Sequence, residues 1–319
     1  MKRIIRAVLS ALLALGCVSC GSADTSSSDN TIHIVTTIFP EYDWVKQILG
    51  ENPADMEVTL LMSNGVDLHS FQPSAKDIMT VSSCDLFIYV GGESDDWVRD
   101  ALEEAVNKEM IVINLLDVLD GYVREEETLD GMEESEEEEE GAYDEHVWLS
   151  IRNAERCLVS IEAAIEALDT AHAETYRANL SAYIDSLKDL DQAYEETVSE
   201  AQNDILLFAD RYPFRYLAED YGLTCFAAFQ GCSAETEASF STVTFLAEKV
   251  EEYELPCVLI LETGDTRLAT TILSNTETPD LPVLTLNSMQ GVGMLDVEDG
   301  ATYESLMEAN LEVLKQALR

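Results

Sequence analysis

The chain has 319 residues, 46% hydrophobic and 25% charged, an ordinary globular composition with room for two domains of about 150 residues each. Its 18 Lys+Arg against 63 Asp+Glu give a formal net charge of −45, which argues against nucleic acid and anionic membrane surfaces as partners, because both are gripped by clustered bases. Such a field attracts cations, so metal ions or basic partners come first.

In chain order, Met1–Arg6 carries three bases and leads into Ala7–Leu15, nine mostly apolar residues without a formal charge. This is the pattern of an export signal, too short for a stable transmembrane helix. Residues 1–20 are therefore read as a leader whose removal takes away three bases and no acid. The stretch Leu13-Ala14-Leu15-Gly16-Cys17-Val18-Ser19-Cys20 resembles the lipobox of bacterial lipoproteins, where a Cys after a small residue is acylated. Cys17 after Gly16 fits better than Cys20 after Ser19, and the polar residues 21–30 serve either as a tether.

Short apolar strands then alternate with helices. Thr31–Ile38 reads as a strand ending at Pro40, with a helix at Tyr42–Leu49 and a strand at Val58–Met62. A polar loop, Ser63–Pro73, precedes a helix at Ser74–Ser82, a strand at Leu86–Val90, a helix at Asp95–Val106 and a strand at Ile111–Leu115. This alternation is the signature of a parallel sheet in an α/β lobe, placed at residues 31–151.

Residues 152–203 contain no Pro and no Gly, and apolar groups recur at helical spacing from Leu158 to Tyr194. They predict one long helix, or two with a joint near Asp169-Thr170, acting as a rigid link. The α/β rhythm resumes over 204–319, with strands at Asp204–Ala209, Thr224–Phe229, Cys257–Leu261 and Val283–Leu286. Helices are expected at Tyr216–Tyr221, Phe240–Tyr253, Arg267–Ser274 and Tyr303–Ala317. The fold class is α/β: two lobes with mainly parallel sheets joined by one long backbone helix.

Arg124–Glu145 carries thirteen acids and one base in twenty-two residues, including the run Glu136, Glu137, Glu138, Glu139 and Glu140. Like charges at this density repel, so a mobile exposed loop is expected. It is either a solubilising insertion or a cation-gathering one, since it ends at His146. After the leader five cysteines remain, so at least one thiol is free or pairs between molecules. Cys225 and Cys232 are close enough to pair across a loop, and the absence of CxxC among these five speaks against a thiolate zinc knuckle.

Of four histidines, His33 in the first strand and His172 in the long helical region read as solvent-facing. His69 lies in Asp67-Leu68-His69-Ser70-Phe71-Gln72-Pro73, a loop after a strand, where α/β lobes place binding groups. His146 lies in Asp144-Glu145-His146-Val147-Trp148-Leu149-Ser150. With Ile34–Pro40 and Phe214-Arg215-Tyr216-Leu217-Ala218 followed by Tyr221-Gly222-Leu223, these segments resemble the zinc- and manganese-binding ZnuA/TroA-like lipoproteins of bacterial ABC importers. The likeness covers residues 31–319.

The resemblance implies a C-clamp that holds a divalent ion, Zn²⁺ or Mn²⁺, in its cleft. It implies a monomer tethered outside the cell membrane, delivering the ion to a permease and its ATPase. His69 and His146 carry over as ligands. The second lobe departs from the family pattern: Arg211 stands where a ligand would fall, and arginine offers no lone pair to a metal. Asp210 beside it is expected to take that role, Asn287 occupies the place of the last acidic ligand, and Glu262 is a spare candidate. An exported metallohydrolase is opposed by the absence of HExxH, G-x-S-x-G and Walker A motifs. An adhesion role for the acidic loop is the other alternative.

Overall fold

The computed structural model describes residues 31–50, 55–133, 142–233 and 237–319. The leader with Cys17 and Cys20, the tether, and Glu136–Glu140 lie outside the described residues.

Among these residues, two parallel four-stranded sheets form. The first contains β1 (Ile32–Thr36), β2 (Met56–Leu60), β3 (Leu86–Tyr89) and β4 (Ile111–Asn114) in the order β2-β1-β3-β4. The second contains β5 (Ile205–Tyr212), β6 (Thr224–Gln230), β7 (Val258–Leu261) and β8 (Val283–Leu286) in the order β6-β5-β7-β8. Both orders reverse beside the first strand, between β1 and β3 and between β5 and β7. Loops leaving the carboxyl ends of strands at such a reversal flank a crevice, which is where open α/β sheets bind ligands.

Local chemistry sets the helix starts. In α1 (Phe39–Leu49), Pro40 sits in the first turn, and Glu41 Oε2 accepts from the backbone of Thr37 at 2.8 Å and of Ile38 at 3.2 Å. In α2 (Ala75–Ser83), Ser74 and Asp77 cap each other's amides reciprocally. The first lobe also holds α3 (Trp97–Glu103) and α4 (Leu115–Val118); the second holds α7 (Arg215–Tyr221), α8 (Phe240–Glu252), α9 (Arg267–Leu273) and α10 (Met294–Glu298).

Between the lobes run α5 (Ile151–Leu168) and α6 (Ala173–Ser199). The 152–203 region is thus two helices with a joint at Asp169, not one continuous rod. No Gly or Pro is needed for the break. Asp169 leaves helical geometry at φ −135° and ψ 80°, and its carboxylate accepts from the Ala171 amide, His172 Nδ1 and Tyr176 Oη. Arg152 then pairs with Asp191 at 3.2 Å and Arg177 with Glu166, so the two helices run antiparallel. The 27 residues of α6 span about 40 Å and form the long link into β5.

The C-terminal helix, α11 (Tyr303–Ala317), returns from the second lobe to pack on α6 and α1. Tyr303 is fully buried with its ring edge-on to Trp44 at 5.4 Å, and its hydroxyl donates to the Trp148 carbonyl at 2.8 Å. The main core includes Trp44, Trp148, Tyr176, Tyr194, Phe208 and Phe214 and so draws on both lobes. Burial of so many aromatic rings across the joint resists large lobe movements.

The expectation of a mobile loop over Arg124–Glu145 is corrected for its described flanks. Glu125 bridges Tyr143, and the Glu133 amide donates to the Ala228 carbonyl at 2.9 Å. Glu133 Oε2 accepts from the Ser239 amide and the Thr242 hydroxyl at the start of α8. Carboxylates that accept backbone amides are stabilised, so an acidic flank can dock without bases.

Candidate metal centre

The D-x-H pattern occurs twice and folds alike both times. Asp67 Oδ1 accepts the His69 amide at 3.0 Å, and Asp144 Oδ1 accepts the His146 amide at 2.9 Å. Each aspartate thereby closes a turn on the histidine two residues ahead. One-turn 3₁₀ helices follow at Leu68–Ser70 and Val147–Leu149. His69 leaves the loop after β2 and His146 the long connection after β4, both at the carboxyl edge of the first sheet.

The two rings converge. Their Nε2 atoms are 3.1 Å apart and the rings meet at 60°. Asp144 Oδ1 lies 2.9 Å from His146 Nδ1, which fixes a proton there and turns the Nε2 edge towards His69. His69 Nδ1 lies 2.8 Å from Ser94 Oγ. Glu145 Oε1 accepts the Ser94 amide, while its Oε2 has no hydrogen-bond partner among the described residues and stands 3.5 Å from His69 Nδ1. At that distance it is a neighbouring charge more than a hydrogen bond. The approach of Glu145 depends on Gly92, where φ is +83° and a Cβ would sit 2.3 Å from Oε1.

A 3.1 Å contact between two ring nitrogens needs one proton between them, and a cation can replace that proton while bonding both lone pairs. Burial disfavours charge on His69, and the neighbouring imidazole and Arg211 add to this, so its pKa falls to about 3. Burial opposes charge on His146 as well, but the Asp144 carboxylate outweighs it and raises the pKa. Burial pushes Glu145 up to about 7 despite its bonds to Ser94.

A third group joins them. Cys232, in the loop after β6, brings its sulfur so that one ligating atom each from His69, His146 and Cys232 lie within 4.8 Å of one another. Among the described residues this is the one set of three or more His, Cys, Asp or Glu side chains so gathered. The Cys232 amide donates to Glu126 Oε1 at 2.9 Å. A Cβ on Gly231 would stand 3.0 Å from His146 Cε1 and 2.9 Å from the Tyr212 carbonyl, so a residue without a side chain brings this loop in. The possible Cys225–Cys232 bond is absent: both are free thiols, with Cys225 buried beside Tyr212. Burial and the carboxylates of Glu126, Glu145 and Asp144 push the Cys232 thiol well up. A cavity of about 250 Å³ next to the group is lined by His69, Glu93, Ser94, Glu126, Glu145 and Cys232.

The other expected second-lobe residues are placed elsewhere. Asp210 Oδ1 accepts the Arg211 amide at 2.8 Å and Oδ2 the Leu261 amide at 3.1 Å, where β5 and β7 splay apart and a backbone donor lacks a strand partner. It does not join the histidine group. Asn287 Oδ1 accepts from Met289 and its backbone pairs with the Asn310 amide group. Glu262 accepts from the Ser288 amide and hydroxyl and from the Gly291 amide, tying one loop to another. Arg211 reaches across the cleft to Asp67 Oδ2 at 2.7 Å. Burial opposes ionisation of Asp67, yet Arg211 more than offsets it and holds the carboxyl below its ordinary value.

Two parallel α/β lobes, a long linking helix and a pair of imidazoles meeting in the cleft are the features of a two-lobe solute-binding-protein fold. The chain belongs to the ZnuA family, described as zinc-uptake complex component A periplasmic, whose model matches residues 34–317. It is 31% identical over 319 residues to the zinc-binding lipoprotein AdcA of Streptococcus pneumoniae, a match covering 99% of this chain and 61% of AdcA. The chain therefore spans about three-fifths of that relative's length. It is 29% identical to the high-affinity zinc uptake system protein ZnuA of Bacillus subtilis, across 94% of this chain and 93% of that one. The Zn(II)-bound ZnuA-like domain of pneumococcal AdcA superposes with a TM-score of 0.70 at 29% identity, covering 90% of this chain and 99% of that domain. These are zinc-binding and uptake proteins by name, and the chain is classed with them and not with enzymes.

Sequence singled out Cys232 only as a possible disulfide partner of Cys225, not as a ligand, and it did not single out Ser94 or Glu126. For Cys232 a signal existed, because Gly231-Cys232 follows the second strand of its lobe as the His69 loop follows the second strand of the first.

Proposed function

We propose that the chain is the extracytoplasmic binding component of an ABC importer, taking up Zn²⁺ between His69 and His146 and passing it to a membrane permease. The observation that carries this reading is the convergence of two Nε2 atoms at 3.1 Å, on a buried His146 and a half-buried His69, each ring backed by a polar partner on its other nitrogen. A tetrahedral Zn²⁺ with Zn–N bonds of about 2.0–2.1 Å places two nitrogens about 3.3 Å apart, so the pair is close to spaced for the ion before it arrives. Zinc suits imidazole better than manganese, which prefers an oxygen-rich shell, so Mn²⁺ is the weaker competitor. Acylation of Cys17 or Cys20 would tether the receptor near its permease, and the run Glu136–Glu140 would raise the local cation concentration.

Titrating zinc into chelator-stripped protein tests the assignment. Changing both His69 and His146 to Ala is expected to cost at least about 100-fold in affinity, since removing merely an outer partner of a ligand costs about 10–100-fold. A loss of no more than about tenfold contradicts the ligand roles.

A further inference from the structure

We infer that Cys232 supplies the second lobe's ligand, its thiolate completing a His69–His146–Cys232 site for zinc or another thiophilic divalent ion. This rests on the capture reading above and adds to it the atom by which the second lobe would hold the ion.

Three independent observations converge on this residue. The sulfur joins the histidine group within 4.8 Å, whereas the two oxygens of Asp210 are held by backbone amides. The loop that carries it is fixed from both sides, by the Glu126 bond to its amide and by Gly231 against His146. Glu145, whose buried Oε2 has no hydrogen-bond partner among the described residues, lines the same cavity as Cys232 and His69. An orphaned buried carboxylate oxygen is costly, and a cation in the adjoining site would relieve that cost.

The donor set selects its ion. Two neutral imidazoles and one thiolate match zinc's preference for N and S ligands in a tetrahedron with Zn–S near 2.3 Å, and they suit Mn²⁺ poorly. Tetrahedral spacing requires each nitrogen to lie about 3.6 Å from the sulfur, so the loop after β6 needs to close by roughly 1 Å at most. The thiol proton leaves to solvent as the metal–sulfur bond forms. Three protein ligands leave one vertex open, which suits a carrier that must give up its ion. The carboxylates of Glu93, Glu126 and Glu145 line the adjacent cavity and would draw cations inward.

Cobalt(II) reports on the assignment directly, because a thiolate bound to it gives an intense near-ultraviolet charge-transfer band that nitrogen and oxygen ligands lack. The band is expected in the full chain loaded with Co²⁺, to vanish on adding zinc, and to be missing in Cys232→Ser. That variant should still bind zinc through the histidines, at least about tenfold more weakly, with its preference for zinc over manganese narrowed by a similar factor. Serine keeps the size of the side chain and the Glu126 bond is to backbone, and an unchanged apo melting temperature checks the fold. A wild-type Co²⁺ complex without the band, or a Cys232→Ser variant that keeps its band or its affinity, overturns the inference. In either case, loss of binding in His146→Ala would leave the capture reading standing. If wild-type protein binds neither cobalt nor zinc, it is that reading which fails.

Discussion

The two lobes face the cleft with side chains of opposite availability. On the first lobe, among the described residues, the Nε2 edges of His69 and His146 have hydrogen-bond contact only with each other, while Asp144 and Ser94 occupy the Nδ1 sides. On the second lobe the oxygens of Asp210 and Glu262 are taken up by backbone amides, and Arg211 is turned to Asp67. A carboxylate is a metal ligand only where its lone pairs are not already satisfying buried donors. Sequence position alone does not separate these cases, since Asp210 and His69 both sit where strands end at a cleft.

If the second lobe's carboxylates are structural, removing one should damage stability more than metal binding. Glu262→Ala leaves the Ser288 and Gly291 donors unmet and is expected to lower unfolding stability by about 2–4 kcal/mol. Zinc affinity of the folded protein should stay within about threefold, since no ligand is lost. Denaturant unfolding alongside zinc titration checks both; a large affinity loss at unchanged stability would make Glu262 a ligand.

The first lobe stores an electrostatic cost of its own at Asp95, the residue after Ser94. Burial raises Asp95 to about 6, and one of its carboxylate oxygens has no hydrogen-bond partner among the described residues. An Asp whose folded pKa exceeds its unfolded value binds protons in the folded state that the unfolded chain has lost. Its contribution to stability therefore declines as pH rises from about 4 to about 6 and stays reduced above that window. Asp95→Asn should match wild type near pH 4 and exceed it at pH 7, by on the order of 1–3 kcal/mol. Melting temperatures of the metal-free protein across that range would show the curves diverging; parallel curves would deny the buried charge.

Asp144→Asn sharpens the contrast from the other side. The amide can still accept the His146 backbone bond but loses the charge that orients the ring, and zinc affinity is expected to fall about 10–100-fold. Arg211→Met should have the smallest effect, within about threefold and towards tighter zinc binding, because it removes a cation from the neighbourhood of His69. Competition titrations rank the two, and a weakening by Arg211→Met would assign Arg211 a supporting role.

Much of this was legible in the sequence because its signals are local. The strands of both sheets follow from short apolar runs, and the D-x-H turns are set by atoms two residues apart. The joint at Asp169 was legible as a polar pair in a helical pattern, although apolar spacing alone could not choose between one helix and two. What sequence could not resolve depends on long-range packing. Cys232 reaches His146 only after both lobes fold, and the use of Asp210 follows from the splay between β5 and β7. The acidic flanks read as mobile because charge density was visible while the backbone amides that receive those carboxylates were not.

The most direct test sets the lobes against each other in one zinc titration of chelator-stripped protein. The account predicts that His69→Ala with His146→Ala loses at least about 100-fold in affinity, while Asp210→Ala with Asn287→Ala, measured on the folded fraction, stays within about threefold. Retained affinity in the histidine pair, with collapse in the Asp210 and Asn287 pair, would contradict it.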